Sequence, residues 1–313
     1  MNDENRKLAK LAKLCVLLVM FSLPCGCASH APAVRTHPIP ALFEFSTEEQ
    51  QSFDAQTELT VLVQGQTQVM TLERYLEGVL MGELPADFSL EAMKAQAIAS
   101  RTIALRALEQ GRELSDDPSS CQAFRGDLEP NETAKLAVLE TDGMVLIYQD
   151  ELIDATFFSC SGGMTEDAVE VWGSEVPYLI AQPSPGEENA PRDQETLTLS
   201  RSAFLEALKS LRPLDETSSP LIGEATQTAG EGLAAISIGG QAFTGLELRN
   251  LFSLRSTRIQ IEEQGSLVRI TTRGAGHRVG MSQYGAQAMA EAGKSAQEIL
   301  AYYYPGTKIK NQP

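Results

Sequence analysis

The 313-residue sequence is short of cations, histidine and cysteine, and each shortage excludes something. Lys and Arg number 25 against 42 Asp and Glu, a formal charge of −17. Nucleic-acid binding begins with Lys and Arg displacing the counterions condensed on phosphates, so a surface of this sign excludes DNA and RNA as partners. Only three histidines occur, and His30 and His37 fall in a Pro-containing stretch near the N-terminus. That leaves His277 alone in the part that reads as folded. A catalytic zinc site asks for two or three His, so no metal and no other cofactor is expected. The apolar run Leu14 to Leu23 would rise about 15 Å as a helix, roughly half the hydrocarbon core of a bilayer, and does not read as a membrane span.

That run follows Arg6, Lys7, Lys10 and Lys13, giving the charged and apolar regions of an export signal. Pro24-Cys25-Gly26-Cys27 closes it, and a small residue before a Cys at this place marks cleavage and lipidation at Cys27. Pro24 stands where such a signal usually has Leu, which keeps plain secretion open as the alternative. Residues 1–27 are therefore read as a lipoprotein signal peptide, 28–57 as a tether without sustained period, and 58–313 as the folded domain. The expected product is an exported protein of the cell envelope, held to a membrane through its lipid. Removing the leader's four cations and two acids takes the remainder to about −19. Of five cysteines only Cys121 and Cys160 lie beyond the leader. In an oxidising compartment they are either a disulfide, closing a loop of about forty residues, or two separate buried thiols.

From Leu59 the pattern turns structural. Leu59 to Val63 and Thr67 to Met70 read as a hairpin about Gln64-Gly65, and Thr71 caps a helix that stops near Gly82-Glu83-Leu84-Pro85. A second helix runs from the N-cap candidate Ser89 to Gly111. Strands are expected at Met144 to Tyr148, Ile153 to Phe158, Ala235 to Ile238, Arg258 to Ile261 and Leu267 to Thr271. Ser200 opens another helix, residues 214–232 read as a mobile insertion, and the capping box Ser295 to Glu298 opens a last helix that ends at Pro305-Gly306. Helices and strands interleave irregularly, which predicts an α+β fold with mixed sheets and packed helices.

Two segments break their own pattern. On the helix after Ser89, Lys94 and Arg101 fall at about 40° and 20° from Leu90, inside the apolar arc of Met93, Ala97, Ala104 and Leu108. Charges there must be paired or must line a cleft. Glu83 is a carboxylate in the loop leading into this same helix, so the residues fit either an ion pair tying loop to helix or a carboxylate tuned as a general acid/base. The second segment, Gly274 to Gln287 (GAGHRVGMSQYGAQ), surrounds His277 with glycines and offers Ser282 and Gln283 for hydrogen bonds to neutral hydroxyls and amides. Its Ser and His match no triad spacing.

LEGVLMGELPADFSLEAMKAQAIASRTIAL (Leu76 to Leu105), FFSCSGGMTEDAVEVWGSEVPYL (Phe157 to Leu179), LRNLFSLRST (Leu248 to Thr257) and the segment Gly274 to Ile309 together resemble the SpoIID family, which groups stage II sporulation protein D with amidase enhancers. The resemblance implies a SpoIID-like fold built around a substrate cleft and a protein acting on peptidoglycan. For catalytic members it implies a lytic transglycosylase, a carbon-oxygen lyase that cuts between N-acetylmuramic acid and N-acetylglucosamine in glycan strands stripped of peptide and leaves 1,6-anhydro ends. The alternative it leaves is a non-catalytic wall-binding module that enhances a partner amidase. It implies Glu83 as the catalytic carboxylate, Lys94 and Arg101 as residues that orient Glu83 or the muramyl lactyl carboxylate, and His277, Ser282, Gln283 and Tyr284 as substrate-cleft residues. Some members bind zinc through a Cys and a His just before a Cys-Gln element; Ser120 stands at the His position here, so no zinc is expected and the Cys121–Cys160 bridge is a substitute staple. Arg278 stands where the family commonly has Gly, which implies a narrower cleft or a changed substrate preference.

The leader reading makes one prediction. Expressed in a host that processes lipoproteins, the wild-type chain incorporates labelled fatty acid and Cys27→Ser does not; equal labelling of the two would place the lipid elsewhere.

Overall fold

In the computed structural model, which describes residues 52–117, 121–188, 190–191 and 193–312, α1 (Phe53–Gln56) precedes the expected hairpin, β1 (Glu58–Val63) and β2 (Gln66–Thr71). The strands pair antiparallel about Gln64 and Gly65, whose positive φ angles of 50° and 76° suit a two-residue hairpin loop. Thr71 Oγ1 accepts from the Arg74 N–H and caps α2 (Leu72–Glu83), which stops at Leu84 because Pro85 disfavours helical geometry there. Ser89 does precede α3 (Leu90–Glu109), but its side chain makes no cap bond. It is clasped instead by Gln287, whose Nε2 donates to Ser89 Oγ (3.0 Å) and whose Oε1 accepts from the Ser89 N–H (2.8 Å).

The chain continues through β3 (Leu114–Ser115), α4 (Glu132–Glu140), β4 (Met144–Tyr148), β5 (Glu151–Leu152), β6 (Phe157–Phe158) and α5 (Ala168–Trp172). Then come β7 (Gln194–Ser200), α6 (Arg201–Lys209), β8 (Ile222–Gln227), β9 (Leu233–Ile238), β10 (Gln241–Thr244) and α7 (Gly245–Leu251). β11 (Arg258–Gln264), β12 (Leu267–Arg273), β13 (Met281–Ser282), α8 (Gln283–Glu291), α9 (Ala296–Tyr303) and β14 (Lys308–Asn311) complete it. The sheets are small, in the orders β2-β1-β3, β14-β4-β5, β13-β6, β11-β12-β7 and β10-β9-β8. β1 with β3 and β6 with β13 are parallel, and the other pairs are antiparallel, so the fold is α+β with mixed sheets.

Two expected boundaries move. Residues 214–232 are not a loose insertion: β8 pairs with β9, and Leu221 is buried beside Ile238 and Phe243 in the core that α6 closes. The tether also ends earlier than residue 57. Asp142 accepts from Ser52 Oγ and from the backbone N–H groups of Phe53 and Asp54, docking α1 onto the body of the fold. The α1 anchor does not show in local periodicity, because Asp142 lies some 90 residues away.

α3 is the hub. The wheel predicted one buried face, yet from Ala92 to Ala104 every residue is buried except Lys94 and Ile103, which are half-buried. Met93, Ala97 and Ala104 pack into a core with α2 and β1, while Ala95, Ile98 and Ala99 pack into a second core with α8 and α9. Thr102, about 120° around the helix from Leu90 and so outside the apolar arc, is also buried and accepts the Leu146 N–H at 2.9 Å. Arg101 is wholly enclosed with Asp54 of α1: its Nε lies 2.8 and 3.0 Å from the two carboxylate oxygens, and Nη2 lies 2.5 Å from Oδ2. Its remaining donor reaches the Met144 carbonyl at 3.1 Å.

Removing one partner of such a pair strands the other charge in a dry site, at a cost of about 3–5 kcal/mol. Asp54→Ala is expected to lose that much in urea unfolding, whereas Asp127→Ala, which breaks an exposed pair with Arg125, is expected to leave the unfolding midpoint nearly unchanged.

Candidate active site

Glu83 is the last residue of α2, and three segments converge on it. Gly82 makes the first convergence possible: a Cβ there would lie 2.6 Å from the Ala123 carbonyl oxygen, so only glycine lets the segment 121–124 close against the helix end. The Ala123 N–H then donates to Glu83 Oε1 at 2.6 Å. From the third segment, Gln283 at the start of α8 donates its Nε2 to Oε2 at 3.1 Å. Burial pushes the Glu83 pKa above the ordinary glutamate value, and the two hydrogen bonds pull the other way without cancelling it.

The carboxyl opens on a cavity of about 350 Å³ whose walls include Arg112, Cys121, Thr156, Phe158 and His277. Asp154 lines it too, but it is held by Arg106 at 2.7 and 3.2 Å. Among the described residues of this cavity, Glu83 is thus the one carboxylate without a cation against it. His277 stacks edge-on to Phe158 (5.6 Å) and beside the half-exposed indole of Trp172 (5.4 Å). Its Nδ1 accepts the Val279 N–H at 3.1 Å, which puts the proton on Nε2. Burial lowers its pKa to about 4, with Arg249 adding to the effect, so the ring is a neutral wall at physiological pH.

Of the residues expected at a substrate cleft, Gln283 lies against Glu83 and His277 lines its cavity, while other assignments need correction. Ser282 is fully buried and caps α8 by accepting the Gly285 N–H at 3.1 Å, while its Oγ donates to Glu187 at 2.8 Å. It does not face the Glu83 cavity and makes no dyad with His277. Tyr284 lines a neighbouring cavity of about 340 Å³ with Pro85, Phe88 and Gln287, its ring edge-on to Phe88 at 5.2 Å. Lys94 and Arg101 do not support Glu83: Lys94 Nζ sits between Glu91 (2.8 Å) and Glu140, and Arg101 is consumed by Asp54. Of the two options for these charges, pairing is the one observed: Arg101 meets the remote Asp54, and Lys94 meets Glu91 of its own helix and the remote Glu140.

Cys121 and Cys160 are not joined by a disulfide, so the reading as separate residues is the one observed. Cys121 Sγ packs 3.8 Å from the Tyr75 hydroxyl on the α2 side, whereas Cys160 is buried in the backbone pairing with Ala275. The glycines at 274, 276 and 280 admit the protein's own backbone rather than a ligand; a Cβ on Gly280 would lie against the Thr156 carbonyl oxygen. Arg278 does not narrow the cleft. At a φ of 67° its side chain turns fully inward, donating to the Ser161 and Met164 carbonyls (3.1 and 3.0 Å) and pairing with buried Glu166 at 3.6 Å. Cys27 and Ser120 lie outside the described residues; among those described no cluster of His, Cys, Asp and Glu is arranged to hold a metal.

Three participants escaped the sequence reading. The Ala123 donor is a backbone group and carries no side-chain signal. Glu187, which accepts from Ser161 N, Ser161 Oγ and Ser282 Oγ, lies in a stretch without period. Arg249, inside LRNLFSLRST, had only its half-buried place on a short helix to single it out.

Comparison with known proteins adds the following. A family model described as SpoIID, stage II sporulation protein, matches residues 63–148. The chain is 37% identical over 257 residues to stage II sporulation protein D of Bacillus subtilis, an alignment that covers 76% of this chain and 74% of that one. It is 32% identical over 288 residues to a B. subtilis protein named amidase enhancer, covering 75% of this chain and 40% of that protein. An uncharacterised protein of Brachyspira hyodysenteriae is 32% identical over 247 residues, with 77% and 67% covered.

The geometry predicts how Glu83 titrates. Gln283→Leu removes a hydrogen bond to the ionised form and adds apolar surface, and both changes favour the neutral acid. The Glu83 carboxyl, followed by carbon NMR across pH, is expected to titrate higher than in the wild type; a lower midpoint would refute this account of the site.

Proposed function

The chain belongs to the SpoIID family, and from that premise we propose that it is a peptidoglycan lytic transglycosylase acting on glycan strands freed of peptide. The observation that carries the reading is Glu83, a carboxylate with a raised pKa at a cavity wall, hydrogen-bonded by neutral donors and free of any ion pair. A hydrolase of ordinary type needs two carboxyl groups. A lytic transglycosylase needs one. Protonated Glu83 gives its proton to the glycosidic oxygen as the C1–O bond of the muramyl residue breaks. The C6 hydroxyl of the same residue then closes on C1 and returns its proton to the Glu83 carboxylate. The product is a 1,6-anhydro sugar, the enzyme regains its proton, and no water or cofactor is consumed.

In this reading Gln283 and the Ala123 N–H orient the carboxyl, and the His277 and Phe158 rings form apolar walls against sugar faces. The substrate is the glycan strand, and the lipid on Cys27 holds the enzyme at a membrane of the cell envelope. A second reading, a wall-binding module that stimulates an amidase, draws support from the relative named amidase enhancer.

Incubating the full chain with denuded glycan and analysing the products by mass spectrometry separates the two. The enzyme yields anhydromuramyl ends that Glu83→Gln abolishes, a loss of at least about 100-fold for a missing general acid. Because the raised pKa means that the ionised side chain is disfavoured in the fold, Glu83→Gln is expected to melt no lower than wild type at neutral pH. The sign follows from proton binding: the folded state holds its proton to higher pH than the unfolded chain, so this carboxyl contributes stability at low pH that is lost as pH rises through its folded pKa. Activity is expected to fall over the same rise. Absence of anhydro products from both denuded and intact wall would favour the amidase-enhancing module.

A further inference from the structure

His277 has a second side. The ring that closes the Glu83 cavity also lines a cavity of about 240 Å³ walled by Arg249, Thr228, Thr257 and Leu246. Arg249 projects from α7 with its Nε donating to the Leu254 carbonyl at 3.4 Å. Among the described residues no carboxylate lies within ion-pair reach of its guanidinium. Every other buried or half-buried cation near the site is matched: Arg101 by Asp54, Arg106 by Asp154, Arg278 by Glu166. The acids of this cavity do not fill the gap, since Glu166 is held by Thr228, Gly230 and Arg278, and Glu170 stays exposed at the rim. Burial depresses the Arg249 pKa, and no acidic neighbour opposes it. A desolvated guanidinium with free fork nitrogens facing a cavity is matched in shape and charge to a carboxylate.

The ligand chemistry follows from the proposed substrate, and the inference rests on that reading. Each muramyl residue carries a lactyl ether at C3. While a stem peptide is attached, the lactyl carbonyl is an amide and uncharged; once the peptide is cut away it is a free carboxylate. The half-exposed Trp172 indole beside His277 supplies the apolar face against which a sugar of the same strand lies. We propose that Arg249 is a specificity-determining residue, which reads the free lactyl carboxylate of a muramyl residue and so distinguishes stripped glycan from peptide-bearing glycan.

The test is calorimetric binding to the full chain carrying Glu83→Gln, which removes turnover. The probes are a GlcNAc–MurNAc tetrasaccharide with free lactyl carboxylates and the same tetrasaccharide with both carboxyls converted to methylamides. The free acid is expected to bind about tenfold tighter than the amide, as a charge-assisted hydrogen bond at a desolvated site gives. Adding Arg249→Gln is expected to erase the difference by weakening only the free acid. Arg249→Lys gives up the same Nε bond to Leu254 but keeps the charge, and is expected to retain several-fold preference. Equal loss on both sugars in Arg249→Gln, or an unchanged preference, would overturn the assignment and leave a merely structural arginine. Binding of neither sugar by the Glu83→Gln chain would overturn the glycan reading together with it.

Discussion

The burial of α3 around nearly its whole circumference is the constraint on which the other elements depend. A twenty-residue helix in a soluble protein normally keeps one face wet. Here alanines at 92, 95, 97, 99, 104 and 107 thin the helix, so that α2, α4, α8, α9 and β4 all approach it. Small side chains set short interaxial distances, and close approach from two sides places the end of α2 near the start of α8. Those two ends carry Glu83 and Gln283. The Ser89–Gln287 clasp, at the head of α3, fixes α8 in the same register.

Charge is sorted by the same packing. Arg101, Lys94, Arg106 and Arg278 are each committed to an acid away from Glu83. A cation beside Glu83 would hold it ionised, which is the wrong state for an acid that must begin by donating a proton. Neutral donors orient the carboxyl at a smaller electrostatic cost, and burial then governs its pKa. Among the buried and half-buried cations described in this neighbourhood Arg249 is the exception, one that meets no carboxylate, and it stands on the far side of His277.

The loop from Gly274 to Ser282 serves as scaffold more than as a ligand loop. Gly280 presses on the Thr156 carbonyl and Gly276 on Phe158, which fixes the strand pair β6 and β13 and with it the orientation of His277. Arg278 reinforces this from inside by tying the Ser161 to Met164 segment and Gly230 to the same loop. A residue that occupies a position favouring glycine has thus become a buried strut.

The sequence by itself determined the hairpin at β1 and β2, the limits of α2 and α3, the capping box of α9 and the pairing of β11 with β12. Each is specified by local periodicity, caps and turn residues that act over a few positions. It also singled out Glu83, through its place just ahead of the helix that carries Lys94 and Arg101 and through the family resemblance. Partner identity escaped it. Lys94 and Arg101 were legible as charges that need compensation, but Asp54, Glu140 and Ala123 meet them or Glu83 only after the chain has folded. The strand β8 and the docking of α1 were hidden for the same reason. Only the tertiary structure decided which cation stays unpaired and which carboxyl stays free of cations, since both depend on contacts between residues 40 to 200 positions apart, where no periodicity reaches.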